Sequence, residues 1–238
     1  MSRSASRLGG QALLAQLLPP GAEFGGIVTN LAREVELSGA RVLTGTATDG
    51  AMIARDRPEV VILATGSRLS RPAIEAEPDA AIVHAADILA GSARTGKRVV
   101  VYDWLADWTG AGIAERLAGE GAHVRLAVNG LGAAFNIQNY IRDEYAAKLH
   151  ALGVEVHPYM RLYGFDGETA YFLHTAAQTP VEMADVDTVV LVAPNEPEDA
   201  LAAEVRRLGI PVHLVGDCLA PRTAEEAVYE GLKAAAGL

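Results

Sequence analysis

Cysteine and aromatic residues are scarce in this 238-residue sequence. Cys218 is the only cysteine, and a single thiol excludes an internal disulfide, a CxxC redox pair, a cysteine-ligated iron–sulfur cluster and a cysteine zinc site. This fits a protein of a reducing cytoplasm. Aromatic residues make up 5%, whereas alanine, glycine, valine and leucine dominate. Because small residues let helices pack closely on a sheet, the composition favours an α/β fold.

Positive charge and long apolar runs are also lacking. The formal net charge is -10 and no basic patch is visible, so we expect neither nucleic acid nor an anionic membrane as a partner. No stretch approaches the ~20 apolar residues of a membrane span. The opening MSRSAS has no apolar segment of the kind that a signal peptide requires, and we interpret it as a disordered lead or a cloning remnant.

Patterns for metal binding and catalysis are missing too. The six histidines are scattered, with no spacing that would place two of them on one helix face, so no metal site is predicted. No Ser/His/Asp arrangement or pair of carboxylates indicates catalysis, so no catalytic residue is assigned. We interpret Cys218 as a small buried apolar residue in preference to a reactive thiol.

Strands and helices alternate along most of the chain. Apolar runs and period-two patterns predict strands at 40–45, 59–66, 96–103, 123–128, 153–156, 187–193 and 211–216, with short antiparallel strands within 159–182. Helical spacing predicts helices at 12–18, ended by Pro19 and Pro20, and at 26–38, 110–119, 141–152, 200–208 and 224–236. This order predicts Rossmann-like parallel sheets in two three-layer domains of nucleotide-binding type.

Three segments together resemble flavoprotein oxidoreductases that have two dinucleotide domains. They are VILATGS at 61–67, the βαβ unit at 97–128 and VHLVGDCLAPRTAEEAVYEG at 212–231. With LGGQ at 8–11 and EFGGIVTNLARE at 23–34, the chain is most similar to the carboxy-terminal part of the trimethylamine dehydrogenase and dienoyl-CoA reductase family. The resemblance runs from about residue 7 to the end, and its order and spacing matter more than any one motif.

The resemblance implies a domain organisation. Members of the family begin with a barrel that carries FMN and a four-iron cluster, followed by a domain for ADP or FAD into which an NAD-binding-like domain is inserted. By this pattern, residues 7–92 and 197–238 form an FAD/ADP-binding-like domain, incomplete because the family's first GxGxxG segment is absent. Residues 96–196 form the inserted NAD(P)-binding-like domain. FMN and the iron–sulfur cluster would belong only to a barrel domain or subunit that is the partner of this chain.

Two turns are candidate contacts for ADP or FAD. Thr65 and Gly66 follow a predicted buried strand, and the resemblance implies that they lie beside the adenosine half of a nucleotide; a tight turn is the alternative. Gly216 and Asp217 lie between a strand and a helix. There the aspartate can accept a hydrogen bond from a ribose or ribityl hydroxyl and the helix can face a phosphate. In the alternative, Asp217 only caps local backbone N–H groups.

The turn of the inserted βαβ unit does not suit NAD(P). A dinucleotide-binding turn needs glycines so that backbone N–H groups can approach the pyrophosphate. Here Asp103, Trp104, Asp107 and Trp108 stand in that place. Two like charges near 4 Å repel by ~1 kcal/mol in water and by ~4 kcal/mol at an effective dielectric of 20. We therefore expect a structural Rossmann-like domain in preference to an NAD(P) site, with the tryptophans packed in a core or interface.

The sequence therefore predicts a nucleotide-binding, electron-transfer-associated module of a flavin-dependent N-methylamine oxidoreductase (a demethylase) that is inactive as an isolated chain. The alternatives are a non-catalytic interaction subunit with vestigial Rossmann folds and a small NAD(P)H-dependent reductase. Because the family's first strand is absent, strands 59–66 and 212–216 should flank an unfilled slot or pair with each other. Open strand edges favour association, so we expect a partner that supplies a strand, or a homo-oligomer.

Overall fold

The computed structural model describes residues 6–19 and 21–238. Most of the predicted lead, up to residue 5, and Pro20, one of the two prolines predicted to end the first helix, lie outside the described residues.

The helices and strands follow the predicted alternation, with additional short elements. The helices are α1 (Ala12–Ala15), α2 (Phe24–Leu37), α3 (Gly50–Asp56), α4 (Ala85–Leu89), α5 (Trp108–Gly119), α6 (Asn139–Ala151), α7 (Ala200–Arg207) and α8 (Ala224–Ala236). The strands are β1 (Val61–Leu63), β2 (Ser67–Arg68), β3 (Glu75–Ala76), β4 (Ile82–His84), β5 (Arg98–Asp103), β6 (His123–Val128), β7 (Glu155–His157), β8 (Met160–Phe165), β9 (Ala170–His174), β10 (Thr179–Met183), β11 (Thr188–Val192), β12 (Glu196–Pro197) and β13 (Val212–Leu214).

The chain forms two compact units. Unit 1 contains the residues up to Leu13 together with Gly25–Ser70 and Asn195–Leu238, and unit 2 contains Leu14–Phe24 and Arg71–Pro194. The domain boundary that we expected at residue 92 differs from this division, because β4 pairs in parallel with β11 and so joins the sheet of unit 2. The predicted fold class, α/β with Rossmann-like parallel sheets, is confirmed.

Unit 2 has three layers. A parallel sheet of strand order β4-β11-β5-β6-β7 packs on one face against α4, α5 and α6, and on the other against a sheet of order β10-β9-β8-β3. Side chains of β5 alternate between the two cores, with Val99 and Val101 on the helix side and Val100 and Tyr102 on the sheet side. This double burial explains the continuous apolar run in the sequence. The predicted βαβ unit and antiparallel strands are confirmed.

Unit 1 contains much less sheet. β1 and β13 pair in parallel with each other, one of the two arrangements that we expected, and β2 pairs antiparallel with β12. The predicted strand at 40–45 is wrong, because these residues form no strand and are exposed. An apolar run becomes a strand only where a neighbour accepts and donates its ladder hydrogen bonds, and no described strand pairs with this one.

The helices of unit 1 bury few side chains. The predicted apolar face of α2, with Ile27, Leu31 and Val35, is present, yet neither α2 nor α8 contains a buried residue. The small core of the unit is centred on Leu63, Ala202 and Cys218. Burial of this cysteine agrees with the interpretation of Cys218 as a small apolar residue.

Candidate functional site

Four polar side chains of unit 1 meet where β1 and β13 end. Asp217 Oδ2 accepts hydrogen bonds from Gln11 Nε2 at 2.9 Å and from Ser67 Oγ at 3.0 Å. Gln11 Nε2 also donates to Ser67 Oγ at 2.7 Å. Asn195 Nδ2 donates to Gln11 Oε1 and to Ser67 Oγ, both at 3.2 Å. We call Gln11, Ser67, Asn195 and Asp217 the polar cluster.

Strand pairing explains why residues so distant in sequence come together. β1 and β13 run in parallel, with Leu63 opposite Leu214, so the residues that follow both strands lie at one edge of the pair. β2 and β12 bring Pro197 opposite Ser67, which places Asn195 next to the same edge. Ligands of α/β proteins bind outside the carboxyl ends of parallel strands, and the polar cluster lies at that position.

Thr65 and Gly66, which we expected beside a nucleotide, make backbone contacts. Thr65 Oγ1 donates to the Glu198 carbonyl oxygen at 2.5 Å, and the Gly66 carbonyl oxygen accepts from the Glu198 N–H at 3.0 Å. Gly66 has a φ of 79°, a left-handed conformation that glycine adopts without steric cost. Both residues therefore shape the turn that presents Ser67, and a nucleotide contact of their own stays a prediction.

Gly216 is fixed by contacts on both sides. Its φ is 64°, and a Cβ atom at this position would lie 3.2 Å from the Ala227 Cβ. Its N–H donates to Glu230 Oε2 at 2.7 Å, and the Glu230 carboxylate also pairs with Arg222. The N–H of Gly216 is therefore already bonded to a carboxylate; the phosphate contact that we expected at the N-terminus of the following helix stays a prediction.

The polar cluster suits hydroxyl groups better than phosphate. It contains one carboxylate, one hydroxyl and two neutral amides, and no cation. Its members are exposed or partly exposed, so a sugar hydroxyl can replace one of the internal donors to Asp217. A hydroxyl that donates to a carboxylate makes a charge-assisted hydrogen bond, which is stronger than a neutral one.

Three members of the polar cluster were not predicted. Asp217 was a candidate, but Gln11, Ser67 and Asn195 were not, although the first two end the motifs LGGQ and VILATGS. The sequence signal that could have identified Gln11 and Ser67 is their position, since each is the polar residue at the end of a motif of mostly small or apolar residues.

The strand-to-helix turn of unit 2 is closed by Asp103. This carboxylate is fully buried, and its Oδ1 accepts from the N–H groups of Leu105 and Ala106 at 3.0 and 2.9 Å. Its Oδ2 has no hydrogen-bond partner among the described residues. Burial, reinforced by the charge of Asp107, raises the pKa of Asp103 to about 7. Asp107 itself accepts from the Thr109 N–H at 2.8 Å and so begins α5.

Both tryptophans near this turn pack against other aromatic rings of unit 2. Trp108 meets Phe24 and Tyr145 edge to face, with ring centroids 6.2 and 6.3 Å apart. Trp104 meets Tyr102 in the same manner at 6.2 Å. These contacts agree with the packing role that we expected.

Neither a metal site nor a membrane-spanning helix is found in the part of the chain that the structure describes. Within residues 6–19 and 21–238, no group of three or more His, Cys, Asp or Glu side chains is arranged to hold a metal ion. The helices of the same residues include none with the length and apolar character to cross a membrane.

Comparison with solved structures shows that other proteins share the fold of this chain. Histamine dehydrogenase from Rhizobium sp. 4-9 superposes with a TM-score of 0.89 and 22% identity, over 98% of this chain and 39% of that one. A 2-naphthoyl-CoA reductase in complex with 2-naphthoyl-CoA gives a TM-score of 0.85 and 22% identity, over 97% and 34% of the two chains. These likenesses show a shared fold. No protein-family profile matches the chain.

Sequence comparison adds a curated relative. The N,N-dimethylglycine/sarcosine dehydrogenase of Chromohalobacter salexigens is 26% identical over an alignment of 275 positions, and the alignment covers 97% of this chain and 39% of the relative. The chain therefore spans about two fifths of the length of the curated relative that it matches. This match supports the expected similarity to flavin-dependent amine oxidoreductases.

Proposed function

We propose that this chain is a nucleotide-binding module of a flavin-dependent N-methylamine oxidoreductase, working in the cytoplasm, and that it performs no catalysis alone. The polar cluster carries the proposal, together with the similarity to an N,N-dimethylglycine/sarcosine dehydrogenase along 97% of the chain. In this role, Asp217 accepts a hydrogen bond from a ribose or ribityl hydroxyl of ADP or FAD, while Thr65 and Gly66 lie beside the adenosine half.

This binding is expected to be weak. The described residues contain no glycine-rich strand–turn–helix in unit 1 to hold a pyrophosphate. The N–H of Gly216 is bonded to Glu230, so a phosphate would have to displace a carboxylate. The sugar contact at Asp217 is then the main polar contribution of the chain.

The direct test is to identify and titrate the nucleotide. An absorbance spectrum of the purified protein, followed by chromatography of any ligand released on heating, identifies bound FAD or ADP. Titration calorimetry then compares the wild type with Asp217→Ala, which loses a hydrogen bond to a charged acceptor and should bind roughly tenfold to a hundredfold more weakly. Asp199→Ala is the matched control, because the Asp199 side chain makes no cap hydrogen bond. Equal affinity of the wild type and Asp217→Ala would contradict the proposed contact.

Catalysis is assigned to a partner that carries FMN and the iron–sulfur cluster. A single cysteine cannot ligate such a cluster, and the described residues offer no catalytic constellation. The isolated chain is expected to show no turnover of N-methylated amines with a dye acceptor. Turnover by the chain alone would refute this assignment.

The proposed partner surface is an apolar face of unit 1. It borders a groove of about 250 Å³ and is formed by Leu8, Ile27, Leu31, Val35 and Val228, all partly exposed. Burial of each half-exposed side chain stabilises by roughly 1 kcal/mol, whereas association costs about 4–15 kcal/mol. The face alone is therefore marginal, and a partner must add further contacts.

The open edge of β1 supplies such contacts. β1 pairs only with β13 among the described strands, so its other edge can accept a strand from a partner. A net charge of -10 on each chain opposes a second copy of the protein. We therefore assign this surface to the flavin-bearing polypeptide, and a homo-oligomer is the competing outcome.

Co-expression tests this assignment. The part of the Chromohalobacter salexigens relative that this chain does not match serves as the partner. Wild-type protein should co-purify with it, and Leu31→Glu should not. Leu131→Glu changes a residue of unit 2 that is 54% exposed, against 45% for Leu31, and should behave as the wild type. A stable dimer of the chain alone in dilute solution, seen by light scattering, would contradict the assignment.

A second candidate function is a non-catalytic interaction subunit with vestigial Rossmann folds. The observation in its favour is that both donors to Asp217 Oδ2 come from within the protein. A colourless protein that binds neither ADP nor FAD, yet co-purifies with the partner, would favour this function. A small NAD(P)H-dependent reductase finds no support in the turn of unit 2, where NADH and NADPH are expected to bind weakly or not at all.

A further inference from the structure

The position of Asp103 in unit 2 is that of a ligand-binding residue. β5 ends at Asp103, and the 12-residue helix α5 begins at Trp108. In parallel α/β sheets, the phosphates of a nucleotide bind between the end of such a strand and the N-terminus of the helix that follows, where backbone N–H groups point outward.

The carboxylate of Asp103 itself accepts hydrogen bonds from backbone N–H groups of this turn. Its Oδ1 accepts from two successive N–H groups, those of Leu105 and Ala106. Ala106 has a φ of 50°, a left-handed conformation that turns consecutive N–H groups toward one anion. The protein thus holds a carboxyl group of its own in an anion-binding turn.

The first turn of α5 is also shaped around this carboxylate. A Cβ atom on Gly110 would lie 2.1 Å from both Cγ and Oδ2 of Asp103. Only glycine leaves room for the carboxylate here. In a dinucleotide-binding turn, such a glycine makes room for the ligand.

We propose that Asp103 replaces the phosphate of a nucleotide in unit 2, so that the turn binds its own carboxylate and is closed to dinucleotides. The buried Oδ2 without a described partner agrees with this, because a side chain kept for packing alone rarely leaves a buried oxygen unsatisfied. The inference concerns unit 2 and does not depend on the proposed role of the polar cluster in unit 1.

Substitution of Asp103 tests the proposal. Asp103→Gly opens the turn, and Asp103→Asn is the matched control, since it keeps the shape and the acceptor oxygen but not the charge. Both are made in an Asp217→Ala background, so that binding at unit 1 does not contribute. By calorimetric titration, Asp103→Gly should bind NADH at least about tenfold more tightly than its parent, because the N–H groups of Leu105 and Ala106 become free to bind a phosphate. Asp103→Asn should show no such gain, because its amide oxygen still accepts from both groups. A folded Asp103→Gly variant without gain, or a parent that binds equally well, would overturn the proposal.

A measurement on the wild type keeps the test decisive if Asp103→Gly does not fold. The amide resonances of Leu105 and Ala106 report directly on the Asp103 carboxylate. They should move as this group ionises between about pH 5 and pH 9 and stay in place when NADH is added in excess. Movement of these resonances with NADH would overturn the proposal.

Discussion

Unit 2 and unit 1 share a type of fold but differ in how far it is completed. In unit 2, every residue of β5 after Arg98 is buried, and a five-stranded sheet lies between two further layers. In unit 1, the central parallel pair has two strands, and neither α2 nor α8 buries a residue. Two strands alone are marginally stable in water. The comparison shows that most of the buried core lies in unit 2, which agrees with the proposal that a partner packs against unit 1.

The largest effect should come from a substitution that creates a cavity in the core of unit 2. Leu126 on β6 is 0% exposed, so Leu126→Ala removes packing that cannot be recovered, and the free energy of unfolding should fall by about 2–5 kcal/mol. Leu232→Ala, at a residue of α8 that is 68% exposed, is the control and should change it by less than ~0.5 kcal/mol. Urea unfolding followed by circular dichroism measures both, and equal losses would refute the comparison.

A smaller effect concerns the charge buried in unit 2. The pKa of Asp103 is about 7 in the folded protein and 3.8 ordinarily. Between these values the folded state keeps a proton that the unfolded chain has lost, so the free energy of unfolding falls as pH rises from about 4 to 7 and is level above. Asp103→Asn cannot ionise and should be more stable than the wild type above pH 7, by up to about 4 kcal/mol.

Thermal unfolding at a series of pH values checks this prediction. The difference between the wild type and Asp103→Asn should widen from pH 4 to pH 7 and then remain constant. Parallel curves across this range would show that Asp103 ionises normally in the folded protein.

In unit 1, two glycines should respond in opposite directions. Gly216→Ala places a side chain at a φ of 64° and 3.2 Å from the Ala227 Cβ, so it should lower the free energy of unfolding by about 1–2 kcal/mol. Gly231→Ala lies within α8, where a Cβ meets nothing within 4 Å, and should raise it by about 0.5–1 kcal/mol. Chemical denaturation, monitored by a spectroscopic probe attached to unit 1, distinguishes the two variants. A loss at both positions would mean that α8 is more tightly packed than described.

The smallest effect is expected on the apolar face. Leu31 is 45% exposed and contributes little packing within the chain. Leu31→Glu should therefore change the free energy of unfolding of the isolated protein by no more than ~0.5 kcal/mol, even though it disrupts binding of the proposed partner. If urea unfolding shows a loss of several kcal/mol, the face is internal packing and not a docking surface.

The elements that sequence predicted best are those buried on both sides. β5 and β11 appear as unbroken apolar runs, because each of their faces packs on a layer of unit 2. The predicted strand at 40–45 has a similar composition, but a strand also depends on a neighbour, which a local pattern does not reveal. Helix α3 went unpredicted because it is short, although Asp49 accepts a hydrogen bond from the Met52 N–H at its start, a recognisable cap.

The candidate site was predictable only in part for a related reason. Asp217 follows a strand and precedes a helix, and this local context pointed to it. Gln11 is 206 positions away in the sequence, and its contact arises only after β1 and β13 have paired. A local sequence pattern cannot predict a contact between residues so far apart in the chain.

The interrupted course of unit 1 has a consequence for folding during synthesis. Ser67 and Asp217, 150 positions apart, meet only when the last part of the chain has been made, whereas unit 2 is nearly continuous and can fold earlier. Domains generally fold as units while the chain emerges from the N-terminus, and closing a long loop carries an entropic cost. The segment that contains β1 must therefore wait, with its apolar residues exposed, until β13 emerges. Chaperone dependence and proteolytic sensitivity of nascent chains should accordingly concentrate in residues 25–70.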